Sequence, residues 1–271
     1  MTQCMPKPLN QFSVEAARKI KWILTDVDDT LTLDGRLPPE TLQALAALEA
    51  KGIKVVAVTG ACAGWCDQLV KLWPLYAVIG ENGAFSLQSD KTKYVQKFAC
   101  SFEEMQRNQL VLLQNIKKIL KEYPGVNLTT DQPFRFCDVA IDIAQHREPL
   151  DSKTSNEILH AIRALTVEDQ KVNAVLSSIH INAWVGEYSK RSASEALLLE
   201  HVGDVNKEEI VYVGDSPNDE SNFEWLENTV GVANIEKFLP IISFPPRYIT
   251  NKAGGLGFAE LAQHILTAQS N

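Results

Sequence analysis

Along this chain, short continuous apolar runs alternate with amphipathic stretches. Ser13 to Lys21 reads as a short helix leading into an apolar strand, Lys21 to Thr25. Pro38-Pro39-Glu40 opens a helix to about Lys51, with Leu42, Leu45 and Leu48 on one face and Gly52 as its stop. A β-branched run, Ile53 to Gly60, is followed by a helix over about Gly64 to Leu72 and a strand from Tyr76 to Gly80. Strands that are apolar throughout and alternate with helices predict a parallel sheet covered on both faces, an α/β doubly wound architecture.

The pattern changes after Glu81-Asn82-Gly83-Ala84. Ser101-Phe102-Glu103-Glu104 is a capping box that opens a long amphipathic helix to about Tyr123, ended by Pro124-Gly125. Val139, Ile141 and Ile143 then alternate with Ala140, Asp142 and Ala144, as in an antiparallel strand with two distinct faces. A helix at about Thr154 to Leu165 and strand-like stretches at Lys171 to Leu176 and Ser178 to Trp184 complete an inserted α+β domain. That insertion is placed at residues 86–183, with 1–85 and 184–271 forming the core. The tail returns to the first texture. It has a helix over Ser192 to Val202, an apolar strand Ile210 to Asp215 and a short helix Asn222 to Leu226. A short strand Val230 to Ala233 and a closing helix Phe258 to Thr267 finish it.

Composition adds exclusions. The 271 residues, 45% hydrophobic and 22% charged, can bury a sizeable core as a monomer or a homodimer. A net charge of −8 without any basic run argues against nucleic acid or an anionic membrane as partner. No apolar segment approaches the ~20 residues that span a bilayer. Met1 to Gln11 is polar, broken by Pro6 and Pro8, and lacks a signal-peptide core, so a cytoplasmic protein is expected. The cysteines at 4, 62, 66, 100 and 137 are odd in number. Cys62 and Cys66 have no partnering Cys/His pair, so reduced thiols are expected in place of zinc or a disulfide.

The candidate chemistry begins at Asp26-Val27-Asp28-Asp29-Thr30-Leu31, where an apolar strand ends in three acids. In an extended segment Asp26 and Asp28 point to one side and Asp29 to the other. Two carboxylates on one side can hold a divalent cation or divide the roles of nucleophile and proton donor. An EF-hand loop is excluded, because its fifth and sixth positions would be Thr30 and Leu31. Further polar groups follow apolar strands at Thr59-Gly60, at Lys190 and at Gly214-Asp215-Ser216-Pro217-Asn218-Asp219. Each alone reads as a turn or a solvated charge. Together, at the shared rim of a parallel sheet, they suit a magnesium ion and a phosphate group.

The ordered set resembles the haloacid dehalogenase-like superfamily of phosphotransferases. Asp26 to Leu31 matches its Asp-x-Asp-x-Thr-Leu motif, Thr59 its second, Lys190 its third and Gly214 to Asp219 its fourth. The insertion and Gly80 to Ala84 are similar to the subclass with a large α/β cap, the Cof-type phosphatases, which includes sugar-phosphate phosphatases and phosphomannomutases. The resemblance implies a Rossmann-like core, Asp26 as nucleophile forming an aspartyl-phosphate, and Asp28 as acid/base. It implies magnesium held by Asp26, the Asp28 carbonyl and Asp215, with Asp219 completing the acidic site through water or by holding Lys190. Lys190, Thr59, Gly60 and Asn218 would serve the phosphate. The implied substrate is a small phosphorylated metabolite such as a sugar phosphate. A phosphosugar mutase and a non-catalytic metabolite-binding protein stand as alternatives.

One departure is Ala61-Cys62-Ala63, where many relatives carry a basic residue. Substrate choice is expected from the cap. Arg135, Asp138 and Asp142 lie near its first clear strand, and His180, Asn182 and Trp184 share one alternating face of its last. Those three are either substrate contacts or a half-exposed sheet face.

Overall fold

A computed structural model of the chain describes residues 5–270, so Cys4 lies outside the described residues. In chain order the elements begin with β1 (Lys7–Pro8), α1 (Val14–Lys19), β2 (Trp22–Thr25), α2 (Pro39–Ala50), β3 (Lys54–Val58), α3 (Ala63–Leu72) and β4 (Ala77–Gly80). Next come β5 (Phe85–Ser89), β6 (Tyr94–Phe98), α4 (Phe102–Ile119), β7 (Val139–Asp142), α5 (Ser152–Arg163), β8 (Thr166–Val167), β9 (Gln170–Leu176) and β10 (His180–Val185). The chain closes with α6 (Lys190–Val202), β11 (Ile210–Gly214), α7 (Glu220–Trp225), β12 (Thr229–Gly231), β13 (Tyr248–Ile249) and α8 (Gly254–Ser270).

Nine strands form one sheet in the order β1-β13-β12-β11-β2-β3-β4-β5-β6, parallel from β1 to β4 and antiparallel beyond. Alternate residues of the central strands feed two apolar layers. Ile23, Val55, Ala57, Val211 and Val213 pack with α2, α3 and α8, while Leu24, Val56, Val58 and Tyr212 pack with Leu197, Leu198 and Phe223 of α6 and α7. Both faces are therefore buried, which is why these strands read as continuous apolar runs.

After β2 the chain moves outward through β3 and β4, and later returns to the other side of β2 with β11, β12 and β13. The switch point falls between β2 and β11. Crevices beyond the carboxyl ends of strands at such a point are where open α/β sheets bind ligands.

A separate antiparallel sheet, β7-β10-β9-β8, is covered by α4 and α5. Its core comprises Leu112, Ile116, Val139, Ile141, Ile158, Ile162, Ile181 and Ala183. Although the insertion was placed from residue 86, β5 and β6 extend the large sheet by antiparallel pairing with β4. β5 mixes buried with half-buried side chains and β6 half-buried with exposed ones, as at a sheet edge with one solvated face.

Local chemistry sets the boundaries. Ser101 caps α4 by accepting from the Glu104 N–H at 3.4 Å, but the Glu104 carboxylate instead receives Gln170 Nε2 at 3.4 Å. Asp151 accepts from Thr154 N at 2.9 Å, so α5 begins earlier than periodicity indicates. Likewise α8 begins at Gly254, four residues before the apolar pattern. A side chain at Gly255 would press into Thr41 Oγ1 and Leu31 O, so only glycine lets this helix end approach the loop after β2.

The turn after β4 is tight. Glu81 and Asn82 have φ of 44° and 58°, and Gly83 has φ of 109°. A Cβ at Gly83 would collide with the Ser189 carbonyl, at the start of α6. Gly83→Ala is expected to lower stability by about 2 kcal/mol or more, from backbone strain and this collision. Urea unfolding followed by circular dichroism checks it; a change within about 0.5 kcal/mol, the scatter of neutral surface substitutions, would contradict it.

Candidate active site

Asp26 stands directly at the switch point, where its N–H donates to Val213 O at 2.9 Å and so fixes the end of β2 against β11. The chain then leaves extended geometry. The N–H groups of Leu31 and Thr32 return to Val27 O at 2.9 and 3.0 Å, and Asp29 takes a φ of 57°. Asp26 and Asp28 still reach one cleft, also lined by Gly60 and Asn218. They do so through a turn, not through period-two alternation. Asp29 is outside this lining and contributes its carbonyl, which accepts from Asn234 Nδ2 at 3.0 Å.

Lys190 is the first residue of α6, just after the Ser189 cap, and follows β10 of the small sheet; it does not end a strand of the large sheet. Its Nζ donates to Asp26 Oδ1 at 2.6 Å and to Asp219 Oδ1 at 2.8 Å, with all three side chains buried. Burial alone would pull this ammonium toward neutrality, but Asp219 and Asp26 outweigh that and hold it above its ordinary range. The Asp26 carboxyl is pushed up to about 8, mainly by burial, with Lys190 opposing and Asp219 and Asp28 adding repulsion. Burial, then Asp29, pushes Asp28 up to about 6.

Asp219 is fully occupied. Besides Lys190 it accepts from Tyr212 Oη at 2.6 Å, Asp215 N at 3.0 Å and Ser216 N at 3.2 Å. It braces Lys190 and the loop after β11. Asp215 receives Asn234 Nδ2 at 3.1 Å, and burial followed by Asp26 and Asp219 raises its carboxyl well above the usual range. Oxygens of Asp26, Asp215 and Asp219 lie within 4.8 Å of one another. This hard-oxygen set, whose negative charge Lys190 offsets only in part, fits a divalent cation such as magnesium. The Asp28 carboxylate is not in that group.

Thr59 is buried at the end of β3, and its Oγ1 accepts from Ala61 N at 2.9 Å. Asn218 Oδ1 accepts from Ser216 Oγ at 2.9 Å, leaving its amide N–H groups as donors at the cleft. Tyr212 and Asn234 were not singled out in the sequence. Asn234 follows the Val230–Ala233 strand, so the rule that found the other strand-end residues applied to it too. Nothing distinguishes Tyr212 from its apolar neighbours except the hydroxyl.

Ser177 and Ser178 of the β9–β10 turn, with His180 and Asn182 of β10, close the cleft. Trp184 lies apart. It stacks on Tyr188 with ring centroids 5.9 Å apart and donates Nε1 to Tyr188 O at 3.1 Å. Asp142 caps its own loop by accepting from the N–H groups of Ala144, Gln145 and His146. Arg135 and Asn182 both donate to Gly60 O, at 2.9 and 3.3 Å, and so tie the small sheet to the core. Glu81, which sequence reading treated only as part of a turn, accepts from Ala63 N and from the consecutive N–H groups of Phe136, Cys137 and Asp138 at 2.6–3.1 Å. Cys62, Cys66, Cys100 and Cys137 are free; burial pushes the Cys62 thiol up to about 12.

The sequence profile of the haloacid dehalogenase-like hydrolases matches residues 23–126, which include Asp26, Asp28 and Thr59. A phosphoglycolate phosphatase of Methanothermobacter thermautotrophicus is 26% identical over 249 residues, covering 90% of this chain and 98% of that one. Among solved structures, one from Thermoplasma acidophilum superposes with a TM-score of 0.68 at 16% identity, covering 91% of this chain and 98% of the other. The sucrose-phosphatase of Synechocystis sp. PCC6803, solved with sucrose and phosphate, gives 0.61 at 14% identity, covering 92% and 98%. The similarity to the haloacid dehalogenase-like hydrolases thus covers residues 23–126, and the relatives matched over most of the chain bear the name phosphoglycolate phosphatase. No described helix is long and apolar enough to cross a membrane.

The closed cleft carries a pH signature. Burial, followed by the nearby Arg135, lowers His180 to about 4, and its Nε2 lies 2.8 Å from Gln145 Oε1. The unfolded chain therefore binds this proton between about pH 6.5 and 4 while the folded chain does not, so His180 costs stability as pH falls through that window. Relative to wild type, His180→Gln should gain stability from pH 6.5 down to 4. Denaturant midpoints compared across that range measure it, and a pH-independent difference would refute the assignment.

Proposed function

We propose that this chain is a magnesium-dependent phosphomonoester hydrolase that works through an aspartyl-phosphate on Asp26, with a sugar phosphate or similar small metabolite as substrate. The reading rests on one observation: the Asp26 carboxylate is held by buried Lys190 and shares its cleft with Asp28.

Asp26 attacks phosphorus, so that one difficult displacement becomes two easier ones. The Lys190 hydrogen bond orients the attacking carboxylate. Lys190, with the Thr59 hydroxyl and the Asn218 amide, stabilises charge on the transferring oxygens. Asp28, raised to about 6, is poised to protonate the leaving alkoxide and then to take a proton from the hydrolytic water. Asp26, the Asp28 carbonyl and Asp215 would hold magnesium, which supplies charge screening between carboxylate and phosphate. Asp219 acts on Lys190 and on the loop, and Asn234 orients Asp215. The unit bearing the four-stranded sheet serves as a cap that excludes water from the cleft.

Asp26→Asn should reduce phosphate release from a sugar-phosphate panel by roughly 10³-fold or more while leaving the circular dichroism spectrum unchanged. Substantial turnover by that variant would eliminate Asp26 as nucleophile. In wild type, EDTA should abolish phosphate release and excess magnesium should restore it. Release without an added bisphosphate separates hydrolysis from mutase chemistry.

A further inference from the structure

Resting on the phosphatase reading above, we propose that the cleft takes phosphate monoesters whose leaving alcohol is uncharged and bears hydroxyls. Those whose leaving alcohol carries a carboxylate are turned away, because Asp131 and Asp138 hold Arg135 back from the substrate.

The cation that could greet an anionic leaving group is Arg135, whose side chain is 0% exposed. Its Nη1 donates to Asp138 Oδ1 at 2.9 Å and to Gly60 O at 2.9 Å; Nε and Nη2 donate to Asp131 Oδ1 and Oδ2 at 3.3 and 3.1 Å. Two carboxylates thus face one guanidinium immediately behind the Gly60 wall. No lysine or arginine is among the described residues lining the cleft. Lys190 is engaged by Asp26 and Asp219. A second anion on the substrate would meet a surplus of negative charge with nothing to neutralise it.

The side of the lining given by Ser178, His180 and Asn182 is instead uncharged and offers acceptors. Asn182 directs its Nδ2 to Asp138 Oδ2 at 2.8 Å and to Gly60 O, so its Oδ1 accepts no hydrogen bond among the described residues. Gln145 Oε1 takes the Nε2–H of His180, which leaves Nδ1 of the neutral ring as an acceptor. The low pKa of His180 agrees with that neutral form. Ser178 Oγ is buried with no hydrogen-bond partner among the described residues. The Asn182 Oδ1 and His180 Nδ1 acceptors take hydroxyl donors and repel carboxylate oxygens, while the Ser178 hydroxyl can serve a substrate hydroxyl in either direction.

Size-matched pairs isolate the charge: 2-hydroxyethyl phosphate against 2-phosphoglycolate, and glycerol 3-phosphate against 3-phosphoglycerate. Wild-type kcat/KM should favour the neutral member of each pair by at least about tenfold, the scale expected of an uncompensated like charge. Asp131→Asn, which leaves Arg135 one carboxylate fewer, should narrow both ratios by raising turnover of the carboxylate member. Magnesium-dependent hydrolysis of p-nitrophenyl phosphate is measured alongside. If that reporter is cleaved while the carboxylate member of either pair is hydrolysed as fast as its neutral partner, the charge discrimination is wrong and the phosphatase reading stands. If neither the reporter nor any ester is cleaved, the phosphatase reading fails and the inference falls with it. Unaltered ratios in a folded Asp131→Asn enzyme would overturn the part assigned to Arg135.

Discussion

The site depends on a single buried ammonium among buried carboxylates. Asp26, Asp215 and Asp219 crowd within 4.8 Å, and Lys190 bridges two of them. A buried charge without a partner is among the costliest defects a fold can carry, so the elements that deliver these groups have little freedom to move independently. The Gly83 turn packs on the Ser189 carbonyl at the start of α6, while Tyr212 and two backbone N–H groups complete Asp219. The remaining imbalance is negative, and it makes a divalent cation and a phosphate a complementary pair of occupants.

A second polar assembly joins the two sheets. Glu81 leaves the large sheet in a left-handed conformation and grips three successive N–H groups before β7. Arg135 and Asn182 converge on the carbonyl of Gly60, directly after Thr59. The seam between cap and core thus adds directional hydrogen bonds to the apolar packing of Phe136 and Cys137 with Phe85, and such bonds fix register at close range. Arg135 also occupies the neighbourhood of Ala61-Cys62-Ala63, so the nearby positive charge there comes from the other unit and is already neutralised.

Much of the fold was legible because burial leaves a period in the sequence. Strands covered on both faces read as unbroken apolar runs, and β2, β3, β4 and β11 lie within a residue or two of their expected positions. The closing helix was placed late, since its first turn is glycine packed on backbone and carries no apolar pattern. β5 and β6 were assigned to the insertion for a related reason. A mixed, half-exposed hairpin gives no local sign of which sheet it will join.

The sequence by itself determined the chemistry on offer: acids after apolar strands at 26, 28, 215 and 219, a hydroxyl at 59 and a lysine at 190, in an order that matches one superfamily. Strand ends in a parallel sheet must share a rim, so the convergence of the acids and Thr59 follows from pattern alone, whereas Lys190 arrives at the start of α6 after a strand of the other sheet. Only the tertiary structure decided the division of labour. It showed that Asp219 is saturated and braces Lys190, that Asn234 supports Asp215, that Trp184 packs away from the cleft, and that Arg135 is held by Asp131 and Asp138. Those outcomes turn on which donor reaches which oxygen within about 3 Å. Such pairings join residues distant in sequence and leave no periodic trace along the chain.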